Sequence, residues 1–145
     1  MNTLTEREQI VEVIARLFYY TDEQNWDGLK SEVFADQVEM DMTSLGAPAV
    51  ATKTAEEICS EWTEGFKDLD AVHHQSGNYL VNLDGNTATA KAYAIASHYK
   101  ESATLGTTRE FVGSYDFHFT KTAEGWKLDV FKFNLKYMAG NLELK

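Results

Sequence analysis

The pattern that begins near residue 71 constrains this chain most. Val72 to Leu83, Thr87 to Tyr99, Arg109 to Lys121 and Trp126 to Tyr137 are four long segments rich in β-branched and aromatic residues. Their polarity alternates, which is the period of strands with one buried face. Asp84-Gly85-Asn86 and Ala123-Glu124-Gly125 read as turns, and Gly106 lies in the remaining connection. Strands joined by hairpins run antiparallel. Long strands must twist, and a twisted sheet can curl over helices laid on its concave face.

The preceding residues supply those helices. Thr5-Glu6-Arg7-Glu8 is a capping box, and Ile10, Val13, Ile14, Leu17, Phe18 and Thr21 follow at helical spacing. This predicts a first helix over residues 5–22. Asn25 caps a short second helix that buries Trp26, Leu29 and Phe34. Val38, Met40 and Met42 alternate with Glu39 and Asp41 as a half-buried strand, and Gly46-Ala47-Pro48 breaks the chain. Thr54-Ala55-Glu56-Glu57 is a second capping box, opening a third helix with Ile58, Trp62 and Phe66 inward and an end near Lys67. Helices gathered ahead of an antiparallel sheet predict an α+β fold. The expected shape is a curved, cone-like sheet packed on N-terminal helices, with a cavity inside. Residues 1–145 show no internal repeat and no linker, so one domain is expected.

Charge and composition narrow the function. The net charge of −10 comes without a basic cluster, which argues against nucleic acid and against anionic membrane surfaces. No apolar run is long enough to span a membrane, and Met1 to Glu8 lack an apolar signal core. A soluble, cytoplasmic protein is expected. The single cysteine, Cys59, forbids an internal disulfide and sits between helical Ile58 and Trp62 as a buried thiol. Neither a phosphate loop nor a dinucleotide fingerprint occurs, and no cofactor is expected.

Strand parity picks out candidate site residues. Ala90, Ala92, Ala94, Ala96 and His98 share one face, leaving space beside the alanines for a helix or ligand. By the same rule His74, Ser76, Asn78 and Leu80 share a face, as do Val112, Ser114, Asp116 and His118. Polar groups in rows that otherwise look buried suggest a network around a pocket. Asp22 continues the apolar side of the first helix, at the end where a carboxylate is disfavoured. His73 has the opposite parity to His74 and should face away.

Helix one ending in Asp22, the segment Asn25-Trp26-Asp27-Gly28-Leu29, His74, His98 and the closing Gly125-Trp126-Lys127-Leu128 together resemble the SnoaL-like branch of the nuclear transport factor 2-like superfamily. Within it the chain resembles scytalone dehydratases and hexachlorocyclohexane dehydrochlorinases. The resemblance implies an α+β cone of the cystatin-like kind, a small-molecule pocket and a homodimer through the outer sheet face. It implies Asp22 as the acid that orients His74, His74 as general base, His98 as a second pocket histidine, and Ser114 as a pocket serine. Asp116 stands where scytalone dehydratase has an asparagine. Thr21 and Met42 stand where it has the two tyrosines that hold the substrate carbonyl through water. The acid–base part is therefore matched and the carbonyl-holding part is not.

A histidine beside a carboxylate can remove a proton next to an electron-withdrawing group. Asp22 and His74 would do this, with His98 protonating the leaving hydroxyl or positioning the substrate. Ser114 and Asp116 would orient substrate or water, with Met42 and Trp62 in the pocket wall. The reading is a cofactor-free, dehydratase-like lyase or isomerase on a small hydrophobic or cyclic molecule. A non-catalytic binding domain of the same fold is the alternative. A metal site from Asp22, His74 and His98 lacks a close ligand pair and is disfavoured.

Overall fold

The computed structural model describes residues 3–145. Helix α1 covers Glu6–Asp22. The Thr5 hydroxyl accepts from the Glu8 amide at 3.1 Å, and the Glu8 carboxylate accepts from the Thr5 amide at 2.8 Å. Two otherwise unpaired amides are thereby satisfied at the helix start. Ile10, Ile14, Leu17 and Phe18 bury its inner side. Gln24, at φ 56°, turns the chain after the helix. Asn25 then caps α2 (Trp26–Gly28), accepting from the Gly28 amide at 2.9 Å. A wider, π-helical turn over Leu29–Val33 buries Leu29 and Val33. Phe34, expected in this helical segment, instead opens a strand.

The strands are β1 (Phe34–Asp41), β2 (Ala51–Thr54), β3 (Ala71–Asp84), β4 (Thr87–Tyr99), β5 (Thr108–Thr122) and β6 (Gly125–Gly140). Helix α3 (Ala55–Phe66) lies between β2 and β3 and starts where the Thr54 hydroxyl accepts from the Glu57 amide. The six strands form one open sheet in the order β2-β1-β6-β5-β4-β3. The fold is α+β. Two features go beyond the expectation: β2 exists, and β1 runs parallel to β6 while the other neighbours are antiparallel. Hairpin turns report only on strands that follow one another, so they carry no signal for this distant pair.

Register decides which side chains point into the cone. Across β4 and β5, Ala92 faces Tyr115, Ala94 faces Gly113, Ala96 faces Phe111 and His98 faces Arg109. Directly opposite residues share a face. The buried alanine row of β4 therefore selects the odd-numbered residues of β5, and Tyr115, Phe117 and Phe119 are buried beside it. Small residues opposite large rings let the layer fill without clash. On β3 the pairing with β4 shifts between Gly77 and Leu80, and Asn78 adopts φ 58°. This bulge inverts the alternation. His74 and Ser76 remain on the inner side, but Asn78 and Leu80 turn outward, Leu80 being 70% exposed, and Tyr79 and Val81 turn inward. Cys59 is buried, as expected. No helix among the described residues is long and apolar enough to cross a membrane.

Two glycines test this packing in opposite directions. A Cβ on Gly113 would run into the carbonyl of Asn134 and come within 2.8 Å of the Phe133 ring, whereas one on Gly65 of α3 would meet nothing within 4 Å. Gly113→Ala should therefore destabilise the fold by about 1–3 kcal/mol. Gly65→Ala should stabilise it by about 0.5–1 kcal/mol. Urea unfolding curves of both variants check the register.

Candidate functional site

The end of α1 carries Asp22 against β3. Its Oδ1 lies 2.6 Å from Nδ1 of His74, and its Oδ2 accepts from the His74 backbone amide at 2.8 Å. The exposed carbonyls at a helix C-terminus repel a carboxylate. Both contacts to His74 offset that repulsion, and they account for an acid at this otherwise poor position. One turn earlier, Phe18 stacks on the imidazole with centroids 5.0 Å apart and planes within 17°. The ring is thus held at its edge by an acid and on its face by an aromatic. His74 Nε2 has no partner among the described residues, and His74 lines a cavity.

That cavity measures about 230 Å³. Helix α1 contributes Leu17, Phe18 and Thr21, and α3 contributes Trp62 and Phe66. The sheet adds Phe111, Tyr115, Phe131 and Phe133, while Met42 and Leu45 complete the wall. Almost all of this is apolar. Thr21 does not change that, because its hydroxyl donates to the Leu17 carbonyl at 2.5 Å. Tyr115 does. Its side chain lines the cavity, and its hydroxyl makes no hydrogen bond among the described residues. Burial, and then the charge of Asp22, raise this phenol, which stays protonated as a donor.

His98 occupies the same wall and is 8% exposed. Its Nδ1 accepts from Arg109 Nε at 3.0 Å, and Arg109 Nη1 donates to the Leu142 carbonyl at 2.9 Å. Phe66 meets the His98 ring edge-on at 5.5 Å, and Phe111 lies tilted at 5.3 Å. Burial, then the Arg109 charge, then His74, hold His98 down to about 4. The ring is neutral near pH 7, and a neutral imidazole is a poor proton donor. Positioning, the other expected role, is the one its surroundings suit.

The expected residues thus separate into two groups. Asp22 and His74 touch, His98 shares the cavity that His74 lines, and Met42 and Trp62 line it as well. Ser114 and Asp116 do not reach it. They lie on the outer face of the sheet, where Asn134 donates to Ser114 at 3.3 Å and to Asp116 at 2.8 Å, and Lys91 pairs with Asp116 at 3.0 Å. The cause is the β4–β5 register, which turns the even-numbered residues of β5 outward. His118 shares that outer face. It is half-buried, and its Nδ1 lies 2.6 Å from Asp129, which also accepts from Thr120 at 2.6 Å. This second acid–histidine pair lines none of the cavity. His73 faces outward as expected. Among the described residues no three His, Cys, Asp or Glu side chains gather as a metal site. Sequence reasoning missed Tyr115 and Arg109. The only signal for either was the alanine row, whose partner face is the odd-numbered one.

A family-wide sequence model of the SnoaL-like domain matches residues 2–132, and the chain belongs to that family. No curated protein matches the sequence. Among solved structures, a protein from Kribbella flavida is 25% identical with a TM-score of 0.90, over 96% of this chain and 95% of that one. A scytalone dehydratase-like protein from Novosphingobium aromaticivorans is 14% identical with a TM-score of 0.80, over 94% and 87% of the two chains. A hexachlorocyclohexane dehydrochlorinase from Novosphingobium barchaimii is 11% identical with a TM-score of 0.75, over 93% and 89%. The fold is thus shared with dehydratase-like and dehydrochlorinase proteins.

The buried His98 makes stability depend on pH. In the unfolded chain a histidine binds its proton near about 6.5, but in the fold His98 does so only near about 4. Between these values the unfolded state binds more protons. Stability should therefore be full above about pH 6.5 and fall toward pH 4, by up to about 3 kcal/mol from this residue. Carboxylates also titrate in the lower part of this window, so His98→Gln is the reference. The stability advantage of wild type over His98→Gln, from urea unfolding, should shrink by about that amount between pH 7 and pH 4. A constant difference would contradict the assignment.

Proposed function

We propose that the protein is a cofactor-free lyase or isomerase of the dehydratase type, acting on a small hydrophobic or cyclic molecule inside the cone. Asp22 and His74 form its acid–base pair. The observation that carries this reading is the contact of Asp22 with Nδ1 and the backbone amide of His74, at 2.6 and 2.8 Å, behind a histidine that itself lines an apolar cavity. A carboxylate on Nδ1 keeps the hydrogen there and leaves Nε2 bare. Nε2 then takes a proton from a carbon beside an electron-withdrawing group, and Asp22 stabilises the imidazolium that results. The electron pair left on carbon forms a double bond as the bond to the leaving group breaks. When the leaving group is hydroxide, the proton on His74 passes to it and water departs. Neutral His98 and the Tyr115 hydroxyl hold the polar part of the ligand, and Met42 and Trp62 pack its apolar part.

Family membership supports the reading, since names among the structural neighbours denote the loss of water and of hydrogen chloride. A non-catalytic small-molecule binding domain is the second reading. It is favoured by Thr21, whose hydroxyl is turned back onto its own helix and gives nothing to a ligand. A panel of cyclic β-hydroxy carbonyl compounds and their halide analogues separates the two. Wild type should turn over at least one member, and His74→Gln should be slower by about 10²–10⁴-fold. Equal rates for both proteins would remove His74 as the base. A compound bound tightly and recovered unchanged would favour the binding domain.

We also propose that two copies pair through the outer sheet face. Tyr93 and Ile95 on β4 and Tyr137 on β6 are 51%, 44% and 58% exposed there. Exposed apolar groups of this extent commonly mark an interface. Sedimentation equilibrium should give a dimer for wild type and a monomer for Ile95→Asp; a wild-type monomer would end the proposal.

A further inference from the structure

The two pocket histidines are each gripped at the same ring atom by partners of opposite kind. Nδ1 of His74 meets the carboxylate of Asp22, and Nδ1 of His98 meets the Nε–H of Arg109. A carboxylate can only accept and a guanidinium can only donate. The first partner requires a hydrogen on Nδ1. The second requires a lone pair there and so sends the hydrogen of a neutral ring to Nε2.

We propose that Arg109 is a positioning residue that locks His98 as its Nε2–H tautomer, so that the cavity presents one histidine as a base and the other as a hydrogen-bond donor. This rests on reading the cavity as the ligand site. It narrows the ligand class: the molecule must carry a removable proton for His74 and, separately, an acceptor atom such as a carbonyl oxygen or an electronegative leaving group for His98.

Arg109 is itself held for this task. Its Nη1 donates to the Leu142 carbonyl at 2.9 Å, and its guanidinium carbon lies 5.7 Å from the centre of the Phe111 ring. Leu142 reaches it because Gly140, opposite Arg109 in the β5–β6 register, has φ 88° and turns the chain as β6 ends. A Cβ on Gly140 would meet the Thr108 carbonyl at 2.5 Å, so both conformation and space call for glycine. Burial draws Arg109 down from its ordinary value, yet a guanidinium keeps its protons across the range in which proteins work. The charged or titratable groups acting on His98 are Arg109 from β5, His74 from β3 and Asp22 from α1. Helix α3 presents Phe66, which is uncharged. Removing Arg109 therefore removes both the donor that selects the tautomer and a charge that keeps the ring neutral.

Nitrogen-15 NMR of the ring-labelled protein reads the tautomer directly, whether or not any substrate is turned over. His98 is assigned by the signals lost in His98→Gln. In wild type at pH 7 its Nε2 should be protonated and its Nδ1 bare, while His74 should show the reverse. In Arg109→Met, His98 should become a mixture of tautomers and its titration midpoint should rise by about one pH unit or more. Arg109→Lys, which keeps the charge but loses the planar donor, should mix the tautomers with a smaller rise. An Nδ1–H tautomer for His98 in wild type would overturn the proposal, even if no variant folds. So would a single Nε2–H tautomer with an unchanged midpoint in Arg109→Met. Absence of turnover in the wild type, with its tautomers as stated, would count against the proposed reaction and not against the lock.

Discussion

A row of alanines governs this protein. Ala88, Ala90, Ala92, Ala94 and Ala96 fill the inner side of β4 and are buried. Because directly opposite residues share a face, the row commits the odd-numbered side of β5 to the interior, and that side carries the large rings. A bulkier row would force those rings apart or push the helices away. Instead Tyr115 lies 5.4 Å from Phe18 of α1 and 4.9 Å from Phe133 of β6, so one ring ties a helix to two strands. The cavity is the part of this layer that the rings leave unfilled. Its polarity is confined to a few atoms, which suits selective recognition of a small ligand.

Local features were legible in the sequence because they depend on neighbours along the chain. Thr5 and Thr54 cap their helices where their side chains implied, and the helical spacing from Ile10 to Thr21 defines the buried side of α1. Asp22 stood out through a conflict with its helix end, and His74 through its resemblance to a family base. Features that depend on pairing were not legible. The parity of Ser114 and Asp116 is evident from β5, but which parity faces inward is decided by β4. Likewise a bulge at Asn78 reverses half of β3, and Leu80 becomes one of the most exposed apolar side chains. Arg109 looks like an ordinary strand-end cation until its opposite number is known to be His98.

The polar atoms of the site divide the work by what surrounds them. Asp22 keeps two contacts with one residue, so His74 can turn neither about its ring nor on its backbone without losing one. His98 sits among rings and a guanidinium, surroundings that make charge expensive and a neutral donor natural. Tyr115 is similar, a hydroxyl at the end of a packed ring. Rigid groups of this kind need little reorganisation when a ligand arrives. Elsewhere the outer sheet holds His118 and Asp129 in nearly the same contact, yet neither lines the apolar cavity. An acid–histidine contact is therefore not sufficient in itself; the enclosure gives the inner pair its chemical meaning.

The sheet order places β6 between β1 and β5, although β6 follows β5 and β1 precedes all the others. During synthesis β1 emerges long before the strand it must pair with. Until β6 arrives, β1 can bond only to the four-residue β2 and presents its other edge unpaired. The hairpins of β3, β4 and β5 can form meanwhile from local contacts. The β1–β6 pairing joins the two parts of the sheet order, β2-β1 and β6-β5-β4-β3, and requires both to be present. Loop closure over that separation is slow relative to hairpin formation. The nascent chain thus carries an open strand edge for much of its synthesis, the state in which a sheet protein is most exposed to association with other chains.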